Sequence, residues 1–285
     1  MSNTTSGQQL RREQTPQGWD NSATSYDEMM AKTKFTEKYA LVALDQTIPA
    51  NTTLPSGIKI IDIGAGSGAL SIPAAERVKP YGGTVLSTDF SPSMVNIINQ
   101  KIGDLPIEAK VMDGQCLECA ENTFDFAYSI FVLLFFPDQL KGAKEMHRVL
   151  RPGGKAIIAL WSKSSPLMSS FGTTIGRLYS EAGLAAPPPP PYVPTSTDDQ
   201  LFDHLHLSDM FKSVKIVPTQ HSLDIDIDTF VRLLDSNPVV TSTKASLPES
   251  IRHKFNDTFS QVLNEKFPSG QMSGEYQAYI AIAEK

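Results

Sequence analysis

The sequence predicts an α/β fold: a mostly parallel sheet with helices on both faces. Three observations predict it. Short β-branched runs alternate with helical stretches from Ile58 to Trp161. The first run ends in a glycine cluster, Gly64-Ala65-Gly66-Ser67-Gly68. The second ends in an acid, Asp89, about 20 positions beyond that cluster.

The elements follow in order. Met1 to Asp20 is polar, lacks the apolar segment of a secretory signal, and reads as a flexible tail over 1–20. One domain, 21–285, follows. Ala23 to Asp45 has helical spacing, with Tyr26, Met29, Met30, Tyr39, Leu41, Val42 and Leu44 supplying apolar surface. Pro49 to Gly57 breaks the pattern, and Ile58 to Ile63 is a buried strand. Leu70 to Val78 is helical, with Pro73 tolerated if it lies in the first turn. Thr84 to Thr88 is strand two. Ser91 is placed to cap the next helix, with Pro92 at its first position. Glu108 to Met112 and Phe124 to Ile130 are strands three and four. Asp138 to Leu150 is helix, Pro152-Gly153-Gly154 a turn, and Lys155 to Trp161 strand five.

The rhythm changes after Trp161. Pro166 to Ala186 reads as helix, and Pro187 to Pro191 as a stiff, extended spacer. Asp198 to Phe211 is helical, Val214 to Val217 and Tyr276 to Ala283 are the last strands, and helices lie near Thr229 to Leu234 and Pro248 to Phe267. Segment 162–213 is thus an insertion between strands five and six.

Composition narrows the function classes. The chain has 285 residues, 40% hydrophobic and 20% charged, enough for a substantial core. Its net charge of −6 and lack of a Lys/Arg run argue against a nucleic-acid partner. No apolar run of about 18 residues is present, so no membrane span is expected. Cys116 and Cys119 are the only cysteines. They are too few for a disulfide scaffold, and a single pair does not make a zinc site, so no metal is expected. The cytoplasm is the default location.

Four features in chain order carry the chemistry. Glycines in Asp62 to Gly68 let the backbone bend sharply and approach a ligand, and the helix behind offers unpaired N–H groups. Asp89 stands where an acid receives ribose hydroxyls. Asp113, in Met112-Asp113-Gly114, can accept from an adenine amino group while a backbone N–H reads a ring nitrogen. Phe124 to Ser129 then leads into Glu145 to Gly154.

Together these motifs resemble class I S-adenosylmethionine-dependent methyltransferases, in particular the ubiquinone/menaquinone-biosynthesis-like small-molecule group. The match runs from about Ile58 to Trp161, in family order. The resemblance implies a Rossmann-like, seven-stranded sheet with the last strand antiparallel. It implies S-adenosyl-L-methionine as cofactor, with the methionine end over Gly64, Ala65, Gly66 and Gly68 and the ribose on Asp89. The adenine would lie near Met94, Met112 and Asp113, and Phe90 and Gly114 would be further cofactor contacts. Asp62 belongs to the glycine motif, Ser129 would face the methionine end or the substrate, and Tyr26 would close over the cofactor. Trp19-Asp20 and Ala23 to Tyr26 resemble the group's capping segment. Core packing for Met94 and Met112, and a cap or turn role for Asp89 and Asp113, are the structural alternatives.

A sulfonium is a good leaving group, so such an enzyme mainly aligns the nucleophile and excludes water. A protonated nucleophile would also need a base. Of the five histidines, His147 reads as structural. His204 and His206, in the insertion, are candidate bases; His221 and His253 complete the set. Phe131, Phe135, Phe136 and Trp161 are candidate walls of an apolar substrate cavity, which suits a small organic acceptor. Strand four lacks the Asn/Asp-Pro-Pro-aromatic motif of nucleic-acid amino methyltransferases. The alternatives are a non-catalytic S-adenosylmethionine-binding scaffold and a nicotinamide dehydrogenase, whose looser glycine pattern Gly64, Gly66 and Ala69 also satisfy. Oligomeric state is not readable.

Overall fold

The structure is a computed structural model, and it describes residues 10–162, 166–186 and 202–285. Seven strands form one sheet in the order β3-β2-β1-β4-β5-β7-β6. They are β1 Lys59–Ile63, β2 Thr84–Asp89, β3 Ile107–Val111, β4 Phe124–Ile130, β5 Leu150–Trp161, β6 Ser213–Ser222 and β7 Glu275–Glu284. Strands β1 to β5 are mutually parallel, and β7 runs antiparallel between β5 and β6. The chain leaves β1 toward β2 on one side and returns to β4 on the other. A crevice opens at that reversal, beyond the carboxyl ends of the strands.

Side-chain alternation builds two cores. Ile60, Tyr128, Ile157, Ala159 and Ile280 join one buried cluster with helices α3 Phe35–Thr47 and α4 Ser71–Val78. Ile61, Ile63, Ala127, Ile158 and Ala281 join the other, with α6 Gln139–Val149. Successive residues of a strand face opposite ways, so hydrophobic runs here mean strands covered on both faces. Pro73 occupies the third position of α4, inside its first turn. Ser91 caps α5 Pro92–Lys101 by accepting from the Met94 N–H at 3.2 Å.

Several elements differ from the sequence reading. Residues 12–20 are not a free tail. They form a 3-10 turn, Arg12–Gln14, and helix α1 Pro16–Asp20. Glu13 is buried and accepts from Ser242 Oγ, and Asp20 Oδ1 accepts from Ser91 Oγ at 2.6 Å and the Ser93 N–H at 3.0 Å. The first long helix is two, α2 Ala23–Thr33 and α3, because Lys34 takes a left-handed conformation (φ 52°) that breaks the helical path. Pro152 to Gly154 belong to β5, where the pairing with β4 shifts register between Phe124 and Phe126. A bulge therefore replaces the expected turn.

Within 162–213, the described residues form α7 Pro166–Glu181, a 3-10 turn at Asp203–Leu205 and α8 Leu207–Met210. Pro187 to Pro191 and Asp198 to Leu201 lie outside the described residues. Helices α9 Ile227–Leu234, α10 Pro238–Ser246, α11 Glu249–Arg252 and α12 Phe255–Lys266 connect β6 to β7. Helix α10, opened by Asn237 and Pro238, was not anticipated. Among the described residues no helix is long and apolar enough to cross a membrane.

Candidate active site

The crevice holds a cavity of about 630 Å³. Its floor is the glycine loop after β1. The Gly64 and Ala65 N–H groups both donate to the Thr88 carbonyl, at 2.7 and 2.9 Å, which pins the loop to β2. Gly64 has φ +71°, and a Cβ there would sit 2.2 Å from Val132 Cγ1. Only glycine lets the loops after β1 and β4 approach so closely. Gly114 is similar: a Cβ would lie 2.4 Å from Phe136 Cζ.

Two buried carboxyls face this floor. Asp62 accepts from Ser71 Oγ at 2.6 Å, and Ser71 is in turn bonded by Ser87. Asp89 accepts from the Gly66 N–H through Oδ2 and from the Ser91 N–H through Oδ1, each at 2.9 Å. Each Asp89 oxygen therefore keeps acceptor capacity for a hydroxyl. Burial pushes Asp62 up to about 7, which the Ser71 bond only partly offsets. Burial pushes Asp89 up to about 6, partly offset by the N–H groups of Ser91 and Gly66. Asp62 and Asp89 form no ion pair among the described residues. Two buried, cation-free carboxyls on a glycine cradle suit a ligand that brings hydroxyls and its own positive charge.

Asp62, Gly64, Ala65, Gly66, Asp89, Phe90, Met94, Met112, Asp113 and Gly114 all line the cavity, as do Tyr26, Phe131, Phe135 and Trp161. Met94 and Met112 are buried and also face it. Asp113 is solvent-exposed and makes a turn bond to the Gln115 N–H at 2.9 Å, so its alternative turn role is real alongside its place in the cavity wall. Tyr26 lies over the loop, with Cε1 3.5 Å from the position of a Gly66 Cβ. Burial pushes its phenol up to about 12. Gly68 is buried and does not line the cavity; its φ of +95° shapes the loop. Ser129 does not line the cavity, and its buried Oγ has no hydrogen-bond partner among the described residues. The alternation of β4 turns it away from the cavity, fully buried, while Ile130 and Phe131 face in.

The two candidate bases lie away from the cavity lining. His204 Nε2 contacts Gln139 Oε1 at 2.5 Å, and exposed His206 faces Asp209 at 3.3 Å. The segment carrying them packs through Leu205 and Leu207 into the α6 core, and neither histidine lines the cavity. His147 sits edge-on to Phe211, in keeping with a structural role.

The remaining wall comes from residues far apart in sequence. Met29, Met30 and Phe35 contribute from α2 and α3, Leu167 and Phe171 from α7, Leu223 and Tyr276 from the β6 and β7 ends, Phe230 and Leu234 from α9, and Val240 from α10. Phe131 holds a left-handed backbone, φ 61°, unusual for a bulky residue. Its ring stacks on Trp161 with centroids 3.5 Å apart. Trp19 packs edge-on against Tyr26 (5.8 Å) and Phe135 (5.4 Å), closing the N-terminal segment over the loop after β4. Apart from Trp19, Tyr26, Phe131, Phe135 and Trp161, the sequence had pointed to none of these wall residues as part of a site. Apolar residues scattered along a chain carry no spacing that marks them.

The strand order, the glycine loop at the tip of β1 and the acid at the tip of β2 define a Rossmann-like cofactor-binding domain. Residues 61–158 match the family model described as a methyltransferase domain. The chain carries a class I S-adenosylmethionine-dependent methyltransferase domain. It is 35% identical over 118 residues to the demethylmenaquinone methyltransferase of Bacillus cereus, covering 40% of this chain and 48% of that protein. It is 31% identical over 123 residues to the sterol 4-C-methyltransferase strm-1 of Caenorhabditis elegans, covering 42% and 36%. The chain thus spans about half or less of the curated relatives it matches. The fold is also that of the [4+2]-cyclase SpnF, with a TM-score of 0.57 at 14% identity over 96% of both chains.

Proposed function

We propose that this protein transfers the methyl group of S-adenosylmethionine to a small, apolar organic acceptor. One observation carries the reading: the glycine cradle with its two buried carboxyls opens into the same cavity as an aromatic and aliphatic chamber. A polar, cationic donor and an apolar acceptor would meet where Gly64 approaches Val132, the residue after Phe131. The names of the two relatives, whose acceptors are a quinone precursor and a sterol, agree with an apolar acceptor.

When bound, the cofactor supplies an electrophilic methyl on a sulfonium. The residues of this chain do the rest. Asp89 would receive ribose hydroxyls, Asp62 would offer a carboxylate to the amino-acid end, and Met94, Met112 and Asp113 would border the adenine. Tyr26, Trp19 and Phe135 exclude water, and the rings of Phe131 and Trp161 fix the direction of approach. We read α7 as part of the acceptor cover, through Leu167 and Phe171. Among the described residues lining the cavity there is no histidine, lysine or arginine, and the only carboxyls are Asp62, Asp89, Asp113 and Glu118. The preferred acceptor would therefore carry a nucleophile that ionises without a protein base.

The test is transfer of labelled methyl from S-adenosylmethionine to a panel of apolar phenols and quinols, with polar amines and oligonucleotides beside them. The reading expects label in the apolar set. Label confined to the polar set would reject the acceptor class. Cofactor binding without any turnover would favour the scaffold alternative.

A further inference from the structure

Three polar atoms at the carboxyl edge of the sheet are buried with no hydrogen-bond partner among the described residues, Ser129 Oγ, His221 Nε2 and Tyr276 Oη, and of these residues Tyr276 alone lines the cavity. His221 and Tyr276 are directly opposite in the antiparallel β6–β7 pair, so their side chains leave the same face of the sheet. Tyr39 packs against both. Its ring meets the His221 ring edge-on at 4.8 Å, and its hydroxyl donates to the Tyr276 carbonyl. Of the pair, Tyr276 lines the cavity.

An unpartnered buried hydroxyl is unfavourable and calls for an explanation. Because Tyr276 belongs to the cavity wall, an atom of a bound molecule would supply the missing partner. The surroundings describe that molecule. The Tyr276 ring meets Phe35 edge-on at 5.3 Å, and Phe35 lies nearly parallel to Trp161 (9°), which lies nearly parallel to Phe131 (3°). Stacked on one another, these rings give the wall an aromatic surface, against which an aromatic skeleton gains offset or edge-to-face contacts. Phe35, Phe131, Leu223 and Phe230 line the same cavity and have no polar side-chain atom. Burial pushes the Tyr276 phenol well above its ordinary value, so the hydroxyl keeps its proton and donates.

We propose that Tyr276 is a specificity-determining residue: its hydroxyl donates a hydrogen bond to the single oxygen of an acceptor whose remaining skeleton is flat and apolar. The word acceptor rests on the methyl-transfer reading. The ligand preference of the chamber does not, and it is tested by binding alone.

The probes are 1-naphthol and naphthalene, titrated into the full chain, with S-adenosylhomocysteine titrated separately. Failure of the S-adenosylhomocysteine titration counts against the cofactor reading and leaves the probe result intact. Wild-type protein should bind 1-naphthol roughly 3- to 10-fold more tightly than naphthalene, the range of one hydrogen bond. Tyr276→Phe should bind the two alike, with naphthalene affinity unchanged and a thermal midpoint no lower, because it loses only an unpaired hydroxyl. A preference that survives in Tyr276→Phe, or its absence in the wild type, overturns the proposal. A second comparison needs no variant: 1-methoxynaphthalene accepts a hydrogen bond and 1-ethylnaphthalene does not. Tighter binding of the former supports a donor in the wall, and equal binding overturns it.

Discussion

The two ends of the cavity are built by different means. The cofactor end draws on one short stretch, Asp62 to Gly114, through backbone bends, N–H groups and two carboxyls. The end proposed for the acceptor draws on residues from Leu10 to Tyr276, and uses apolar bulk. The difference teaches that a polar, charged ligand demands particular residue types at particular spacings, whereas an apolar one demands only volume and shape. The first end should be brittle to substitution and sensitive to pH. The second should be forgiving and pH-indifferent.

The largest contrast is expected at Gly64. Gly64→Ala places a Cβ 2.2 Å from Val132 and forces an L side chain to φ +71°. Backbone strain alone costs on the order of 1–3 kcal/mol, before the clash. Calorimetry should find no S-adenosylhomocysteine uptake, and the thermal midpoint should fall. Normal uptake would mean that the loops after β1 and β4 need not approach closely.

Asp89→Ala comes next. It should weaken S-adenosylhomocysteine binding by on the order of 1–3 kcal/mol, because it strips partners from ribose hydroxyls and from the Gly66 and Ser91 N–H groups. Unchanged affinity in a titration would remove Asp89 as the ribose ligand.

The pH response has a definite sign. Asp62 (about 7) and Asp89 (about 6) hold their protons above the ordinary carboxylate value of 3.8 in the ligand-free fold. A donor with an ammonium and hydroxyls prefers both ionised, so its binding releases protons. Affinity should fall as pH drops from 8 to 5.5, by up to about tenfold per unit for each group titrating. Asp62→Asn should flatten the upper part of that fall. Without ligand the linkage reverses. The folded state holds more protons than the unfolded chain between about pH 4 and 7, so these two groups make the protein less stable as pH rises through that window. Naphthalene affinity at the other end should not change with pH; a matched fall at both ends would dissolve the distinction.

The smallest effect is expected in the acceptor wall. Phe171→Ala removes a half-buried ring that stacks on Phe259 at 4.8 Å. It should raise the acceptor KM by a factor of roughly 2–10, from lost apolar contact, with S-adenosylhomocysteine affinity untouched. A change in cofactor affinity instead would show that the two ends are coupled.

Legibility followed the same division. The strands β1 to β5 and the lining residues from Asp62 to Gly114 were readable, because β-branched periodicity and glycine-acid spacing are local. Ser129 was misplaced because a one-residue step along a strand reverses the face, and the sequence does not tell which of Ser129 and Ile130 turns inward. His204 and His206 were misplaced because their segment packs against α6, a long-range fact. Lys34 carries no helix-breaking signature, so α2 and α3 were merged. Met30, Phe230 and Tyr276 are ordinary core residues by type, and only the return of β7 between β5 and β6 brings Tyr276 to the cavity.

The most direct test is a calorimetric titration of the full chain at pH 8 with S-adenosylhomocysteine and, in parallel, with NAD. A glycine cradle flanked by Asp62 and Asp89 in this fold predicts saturable one-to-one uptake of the former and none of the latter. Heat from NAD alone, or from neither, would contradict the account.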